Sequence, residues 1–138
     1  MNYTGIPDLT VALDGGVLSV TFNRPDSLNS LTEAMLKTVA DTLDHAADDP
    51  RVRVVRLSGA GRGFSSGAGI SAEDQAAATI SPTVDPLLAE ANRVIRSIAD
   101  LPKPVVAVVG GPAAGVGVSL ALACDVVLAS EKAFFLLA

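Results

Sequence analysis

A run of 21 uncharged residues, from Pro104 to Cys124, is the feature that most limits how this chain can fold. About 20 mostly apolar residues are enough for a helix that crosses a bilayer, so the length of the run permits a membrane span. The order of the residues favours a different structure, because the β-branched stretch Val105–Val109 is followed by a glycine-proline break at Gly110–Pro112. We therefore predict a buried strand, a turn and a short helix, as in a parallel sheet covered on both faces. No membrane partner is expected.

Further short apolar runs predict the other strands of this sheet. The first two runs are joined by Asp14-Gly15-Gly16, which is typical of a hairpin turn because glycine accepts the positive φ angles that such turns need. The glycine-rich segment 58–70 and the polar segment 71–83 are predicted to be irregular connections. The predicted strands are Leu9–Leu13, Val17–Phe22, Arg51–Leu57, Val105–Val109 and Val126–Ala129.

Capping signals and apolar periodicity predict three helices. Ser30 and Glu33 have the spacing of a capping box, at the start of a helix that ends near residue 50. Asp85 and Pro86 have the pattern of a cap followed by proline at the first helical position, and Gly115–Ala123 predicts the third helix. The predicted buried faces are Leu36, Ala40, Leu43 and Ala47 in the first helix and Leu88, Ala91, Ile95 and Ile98 in the second. Residues 1–138 are predicted to form one α/β domain.

The composition argues against several classes of function. With 10 Lys+Arg against 15 Asp+Glu, the formal net charge is -5, which does not suit a nucleic-acid-binding surface. One Cys and one His supply neither an internal disulfide nor the cluster that a structural zinc needs, so no metal is predicted. The first ten residues lack the basic and apolar regions of a secretory signal, and we expect a cytoplasmic location.

Two catalytic patterns occur without the partners that their chemistry needs. Gly63–Gly67 fits the G-x-S-x-G string of serine hydrolases, whose acid and histidine follow the nucleophile in the chain. The only histidine, His45, precedes Ser65, and we interpret it as a solvated residue of an acidic helix. Cys124 has no adjacent His or Lys, so we predict a small buried residue rather than a nucleophile. The chain also lacks a third glycine after Gly115-Val116-Gly117 and has no P-loop string, which argues against nucleotide binding.

The glycine-rich turns at 59–70 and 110–117 each follow a predicted strand, and the second leads into a helix. Glycine permits close approach of two backbones, and the N-terminus of a helix leaves amide N–H groups free. Two such amides aimed at one point form an oxyanion hole, which the helix dipole strengthens. Ordinary tight turns of an α/β domain explain the same spacing equally well. A second open question is whether Arg51, Arg53, Arg56 and Arg62 contact phosphates or form a solvated strand face.

Three sequence motifs follow one another along the chain, the first before these turns and the other two at them. Thr21–Pro25 with Leu28–Leu31 resembles an LNRP…NAL motif, and Phe64–Ile70 resembles the loop F-[SC]-[AS]-G-A-D-[LI]. Residues 103–125 resemble the signature KPV-A-V-G…AxGxG…LALACD. All three motifs are typical of the crotonase family, which contains the enoyl-CoA hydratases and isomerases. The resemblance extends over the whole chain, which corresponds to roughly the N-terminal half of the family's domain.

The resemblance implies a crotonase-like spiral of ββα turns that assembles as a homotrimer or hexamer. It implies that the backbone amides of Ala68 and Val116 hold the thioester oxygen of an acyl-CoA or enoyl-CoA substrate while an enolate forms. Loss of one such donor typically costs ~3 kcal/mol of transition-state stabilisation. The positions implied for contacts with the substrate and its CoA group are Ser27, Leu28, Ser66, Gly67, Gly69 and Ile70. No cofactor is implied apart from the coenzyme A that the substrate carries.

Two departures from the family pattern bear on the mechanism. Gly69 stands where most relatives carry Asp, a change expected to loosen the loop. Ser119 stands at the first of two carboxylate positions that activate water in the family's hydratases, and a serine hydroxyl cannot accept a proton near neutral pH. The second acidic position falls beyond Ala138, and the apolar run Phe134–Ala138 stops without a turn, so we expect missing sequence there.

Two functions are therefore compared. The first is a CoA-thioester enzyme of the enoyl-CoA hydratase/isomerase type, in which Ser119 favours one-base isomerisation over hydration. The second is a non-catalytic remnant that binds acyl-CoA without turnover, since the 138 residues contain neither expected acid.

Overall fold

Strands and helices alternate along the chain in a computed structural model, which describes residues 3–68 and 86–137. The strands are β1 (Leu9–Asp14), β2 (Val17–Phe22), β3 (Val54–Gly59), β4 (Val105–Val109), β5 (Pro112–Ala114), β6 (Val126–Ala129) and β7 (Phe134–Leu136). The helices are α1 (Glu33–Ala47), α2 (Pro86–Asp100) and α3 (Val116–Ala123), and a 3-10 turn covers Pro25–Ser27.

Five of the strands form one sheet in the order β1-β2-β3-β4-β6. Strands β1 and β2 form the predicted antiparallel hairpin, in which Leu9 lies opposite Phe22. The remaining neighbours in this sheet are parallel. Strands β5 and β7 form a separate parallel pair, in which Pro112 lies opposite Phe134. The predicted break at Gly110–Pro112 thus contains a short strand that the sequence pattern did not reveal.

One face of the main sheet packs against the helices. The buried strand residues alternate along the chain and include Leu18, Val20, Phe22, Val55, Leu57, Val105, Ala107 and Val109. They share one core with the buried residues of α1, α2 and α3. The intervening positions are only half-buried or exposed, among them Ser19, Thr21 and Arg56. In β4 the second face carries the half-buried valines Val106 and Val108 rather than polar side chains, so cover on both faces stays a prediction for this strand.

The uncharged run forms the predicted strand and helix, β4 and α3, and the unpredicted short strand β5 lies between them. Within the described residues, no helix is long and apolar enough to cross a membrane. From Leu122 in the last turn of α3 onward, the large apolar residues are mostly exposed, in contrast to those of β4. The largest exposed fractions are those of Leu122 (64%), Leu128 (56%), Phe134 (57%) and Leu137 (82%).

Helix α1 begins with a different cap from the one predicted. The side chain of Thr32 accepts a hydrogen bond from the Met35 amide at 3.2 Å, so Thr32 is the N-cap. The predicted cap, Ser30, is wrong because its hydroxyl is bound by the Arg24 Nη1 at 2.9 Å and by the Ser27 hydroxyl at 2.8 Å. The predicted inward face is otherwise confirmed for Leu36, Ala40 and Leu43, which are buried.

Helix α2 begins at Pro86 as predicted, whereas the predicted cap Asp85 lies outside the described residues. The buried residues of α2 are Ala91, Val94 and Ile98. The prediction for Leu88 is wrong, since this residue is 45% exposed. Val94 takes its place because positions three, four and seven apart share one face of a helix.

Strand β3 begins at Val54 rather than at Arg51. The preceding residues form a turn, in which the Val52 amide donates to the Asp49 carbonyl at 3.1 Å and the Arg53 amide to the Gly16 carbonyl at 2.8 Å. All four arginines of this region are exposed, and Arg51 forms an ion pair with Asp49 at 2.8 Å. This arrangement favours the solvated-face interpretation for Arg51, Arg53, Arg56 and Arg62.

His45 is not the solvated residue that the sequence predicted. Its ring centroid lies 5.1 Å from that of Tyr3. Its Nε2 atom is buried and has no hydrogen-bond partner in the part of the chain that the structure describes. The prediction fails because the N-terminal segment folds back over the last turn of α1, where the Tyr3 hydroxyl donates to Asp49 at 2.8 Å.

Candidate active site

The two loops that carry the first and second motifs lie side by side. The Ser66 amide donates to the Leu28 carbonyl at 2.8 Å, and the Ser66 hydroxyl donates to the Ser27 carbonyl at 2.9 Å. The Leu31 amide donates to the Gly67 carbonyl at 2.7 Å. These bonds bring together four of the positions expected to contact substrate, namely Ser27, Leu28, Ser66 and Gly67.

Gly67 allows this loop to approach the start of α3. Its φ is +96°, in the region that L side chains rarely adopt. A Cβ atom at this position would lie 2.9 Å from the Ala114 carbonyl oxygen and 3.5 Å from the Val116 amide nitrogen. Only glycine therefore fits here without a shift of the backbone, and the residue that precedes Ala68 lies against the start of α3.

Helix α3 begins with Val116, and Gly115 is its N-cap. The Gly115 carbonyl accepts the Val118 and Ser119 amides at 3.0 and 3.3 Å, which directs the peptide bond to Val116 along the helix axis. The Gly115 amide donates to the Leu136 carbonyl of β7 at 3.1 Å. The N–H of Val116 consequently points out of the N-terminal end of α3.

The direction of the Ala68 N–H follows from the Gly67 carbonyl of the same peptide unit. Because the described residues contain no cis peptide bond, the Gly67 carbonyl and the Ala68 N–H point in opposite directions from one peptide unit. The carbonyl is turned toward Leu31, so the N–H is turned away from it. Among the described residues, neither the Ala68 nor the Val116 N–H donates a hydrogen bond.

Asn29 supports these loops, and sequence reasoning missed its role. It is fully buried, and its backbone has a φ of +59°. Its Oδ1 accepts the Arg24 amide at 2.8 Å, while its Nδ2 donates to the Ala60 and Gly63 carbonyls at 2.8 and 2.9 Å. Asparagine tolerates a positive φ better than most residues, so the Asn within the first motif was the available signal.

The arrangement supplies two N–H groups that donate to no described residue, where the segments of two sequence motifs meet. The comparisons with known proteins give the family. The sequence model described as Enoyl-CoA hydratase/isomerase matches residues 13–138. This chain belongs to the enoyl-CoA hydratase/isomerase, or crotonase, family. Its crystal-structure neighbours include an enoyl-CoA hydratase from Mycobacterium avium subsp. paratuberculosis K-10, with a TM-score of 0.83 and 61% identity over 96% of this chain and 50% of that one. The predicted α/β crotonase-like fold is thereby confirmed.

Relatives named for different activities match the chain similarly well. The chain is 37% identical to the 1,2-epoxyphenylacetyl-CoA isomerase of Escherichia coli K12, over 91% of this chain and 48% of the relative. It is 38% identical to the 2,3-dehydroadipyl-CoA hydratase of the same strain, over 93% of this chain and 48% of the relative. The chain thus spans about half the length of these relatives.

The remaining residues considered in the sequence analysis form no hydrogen bond to the Gly67 loop, or lie outside the described residues, or are buried. Ser119 lies on α3 with its side chain exposed. Gly69 and Ile70 lie outside the described residues. Ser65 is fully buried with both sides of its hydroxyl engaged, which agrees with its rejection as a nucleophile.

Cys124 is half-buried at the end of α3, and its thiol donates to the Leu120 carbonyl at 3.3 Å. Burial raises the pKa of this thiol to about 12, and the neighbouring Asp125 carboxylate adds to the effect. The thiol is therefore protonated at neutral pH, which does not suit a nucleophile.

Proposed function

We propose that this chain binds acyl-CoA thioesters and stabilises a thioester enolate with the amide N–H groups of Ala68 and Val116. The observation that carries the proposal is that the N–H groups of Ala68 and Val116 donate to no described residue and lie on two segments that pack together at Gly67. Membership of the enoyl-CoA hydratase/isomerase family supports the class of substrate.

The proposed chemistry begins when a base removes a proton from the carbon next to the thioester carbonyl. The electron pair of the broken C–H bond forms a C=C bond, and negative charge moves to the carbonyl oxygen. Two fixed N–H dipoles stabilise this charge more than they stabilise the neutral carbonyl, which lowers the barrier. The positive end of the α3 dipole acts in the same direction at Val116.

The position of Ser119 bears on the type of reaction. An exposed serine hydroxyl on α3 can bind water but cannot act as a base near neutral pH. Hydration that uses two carboxylates around one water is therefore disfavoured, and isomerisation, which needs one proton shuttle, is favoured. Because Ser119 cannot act as a base, it also supports the alternative function, in which the chain binds acyl-CoA without turnover.

Contacts with the CoA group are proposed for the loop that contains Ser27 and Leu28. Ser27 lines an open cavity of about 390 Å³, together with Arg24 and Asp26. The Ser66 bonds hold this loop against the Gly67 turn, so a thioester at the two amides and its CoA group on the loop would be adjacent.

A Val116→Pro substitution tests the role of the amide. Proline is accepted at the first position of a helix, where its missing N–H breaks no helical bond. We expect the exchange of the α-protons of butyryl-CoA with deuterated solvent, followed by mass spectrometry, to become at least about 100-fold slower. The matched control is Val116→Ala, which keeps the N–H and should exchange much faster than the proline variant.

Binding measured on the same proteins separates the alternatives. If the unmodified protein binds butyryl-CoA saturably but exchanges no α-proton, the non-catalytic function replaces the enzymatic one. If it does not bind butyryl-CoA at all, the proposed function is wrong. Equal exchange by the proline and alanine variants would contradict the role of the Val116 amide.

A further inference from the structure

Ser65 lies where three segments of the candidate site meet. It is fully buried, with 0% of its surface exposed, and it stands between the end of β3 and the Gly67 turn. A buried hydroxyl that is neither a nucleophile nor a metal ligand needs another explanation, because the burial of a polar group is costly unless its hydrogen bonds are made.

The Ser65 hydroxyl joins two loops. It donates to the Asn29 carbonyl at 2.9 Å and accepts the Gly67 amide at 3.1 Å. The first bond reaches the loop proposed to contact CoA, and the second reaches the residue that immediately precedes Ala68. The Ser65 hydroxyl therefore uses its O–H on the loop that contains Asn29 and a lone pair on the loop that contains Gly67.

The main chain of Ser65 also contacts the segment that leads into α3. Its carbonyl accepts the Ala114 amide at 2.9 Å. A Cβ atom on Gly117 would lie 2.6 Å from the Ser65 carbonyl oxygen and 2.9 Å from the Ser65 Cβ, so the first turn of α3 packs directly on this residue. Ser65 thus contacts both of the segments that carry a proposed donor.

We infer that Ser65 is a positioning residue that fixes the Ala68 N–H relative to the Val116 N–H. The inference rests on the proposed function. Gly67 has no side chain to restrict its φ and ψ, so its orientation depends on bonds at its two ends. These bonds are the Ser65 hydroxyl at the Gly67 N–H and the Leu31 amide at the Gly67 carbonyl. Loss of the first bond releases the peptide unit that precedes the Ala68 donor.

The test is Ser65→Ala, which removes the hydroxyl and leaves the carbonyl that binds Ala114. A displacement of about 1 Å in a reacting group lowers a rate by roughly 100-fold. We expect the rate of α-proton exchange at saturating butyryl-CoA to fall about 10- to 100-fold, while Kd for butyryl-CoA changes by less than about 3-fold. Ser65→Cys retains a weak donor and acceptor and should recover part of the lost rate.

Val52→Ala is the control for a general loss of stability. Val52 is buried in the same core but precedes β3, whereas Ser65 follows that strand. This variant should unfold at lower denaturant concentration and keep the exchange rate of the unmodified protein. Amide hydrogen exchange by NMR adds a local measurement, in which Ser65→Ala should speed exchange at Gly67 and leave Ala114 protected.

The outcomes distinguish this inference from the proposed function. An active unmodified protein with a fully active Ser65→Ala variant would overturn the inference and leave the proposed function intact. If Ser65→Ala and Val52→Ala slow the reaction equally, or if Ser65→Cys recovers nothing, Ser65 has only a structural role. An unmodified protein that exchanges no α-proton would overturn both.

Discussion

Two corners of this molecule are held together by different kinds of polar contact. At the site corner, defined by Asn29 and Ser65, neutral side chains bind backbone groups of neighbouring loops. At the Asp49 corner, defined by Tyr3, Asp49, Arg51 and Lys103, the contacts involve charged side chains. Neutral bonds do not respond to moderate changes of pH or salt, so the first corner keeps its geometry under conditions that alter the second.

The Asp49 corner closes the C-terminal end of α1. The Arg51 side chain binds Asp49 and holds the pKa of that carboxyl well below its usual range. The Lys103 ammonium donates to the Ala46 and Asp49 carbonyls at 2.5 Å, where the negative end of the helix dipole favours a cation. Burial raises the pKa of Tyr3 to about 12, and its hydrogen bond to Asp49 contributes.

The largest effect on stability is expected at the site corner, from Asn29→Ala. The substitution leaves the Ala60 and Gly63 carbonyls and the Arg24 amide without their partner. An unsatisfied buried group costs about 1–3 kcal/mol, and the Gly63 contact is buried while the other two are half-buried, so urea denaturation should show a loss of about 3 kcal/mol in the free energy of unfolding. Asn29→Gly is the matched control, because it loses the same bonds but accepts the positive φ, and it should be less destabilised by about 1 kcal/mol. A loss under about 1 kcal/mol for Asn29→Ala would contradict the role assigned to this side chain.

An intermediate effect, dependent on pH, is expected from Asp49→Asn. A carboxyl whose pKa is lower in the folded state contributes stability that is fully present above its unfolded pKa of about 3.9. This contribution is lost as pH falls below about 5 toward the folded pKa. Between pH 7 and pH 3, the free energy of unfolding should therefore decrease less with falling pH for Asp49→Asn than for the unmodified protein. The Asn29→Ala loss should stay constant over the same range, and a parallel pH dependence of both variants would remove the distinction between the corners.

The smallest effect is expected from Arg93→Gln, on the surface between α1 and α2. Arg93 pairs with Asp41 at 2.6 Å and Asp44 at 2.9 Å, and all three side chains are substantially exposed. Exposed pairs contribute about 0.2–1 kcal/mol, so the loss should be about 0.5 kcal/mol and should shrink in high salt. Arg96→Gln is the control, since Arg96 lies on the same helix and forms no ion pair with a described residue. An equal loss in the free energy of unfolding for both variants would show that the ion pairs of Arg93 add nothing to stability.

Local patterns predicted the elements better than they predicted the contacts between them. The hairpin and Val105–Val109 were correctly predicted, because apolar alternation and glycine turns act over a few residues. The prediction that Ser30 is the helix cap was wrong because Arg24 binds that hydroxyl. The prediction that His45 is solvated was wrong because the N-terminal segment covers it. Such contacts depend on tertiary packing, which overrides local preference.

In the candidate site, too, individual residues were predicted better than the contacts between them. Family resemblance named Ala68 and Val116, and the structure brings their segments together through Gly67. The bond from Ser65 to Asn29 joins residues 36 positions apart, and spacing along the chain contains no signal for it. The support of the site could therefore be found only once the loops had been placed.

The three hydrogen bonds to the Gly67 and Gly115 carbonyls have an electronic consequence for the groups proposed to bind the oxyanion. Each carbonyl belongs to the same peptide unit as one of the free N–H groups, at Ala68 and Val116 respectively. A hydrogen bond accepted by the oxygen of an amide draws electron density from its nitrogen and makes the N–H a stronger donor, by roughly 10–30% in condensed phases. The Leu31 amide and the first turn of α3 therefore polarise the two donors from the side that faces away from substrate.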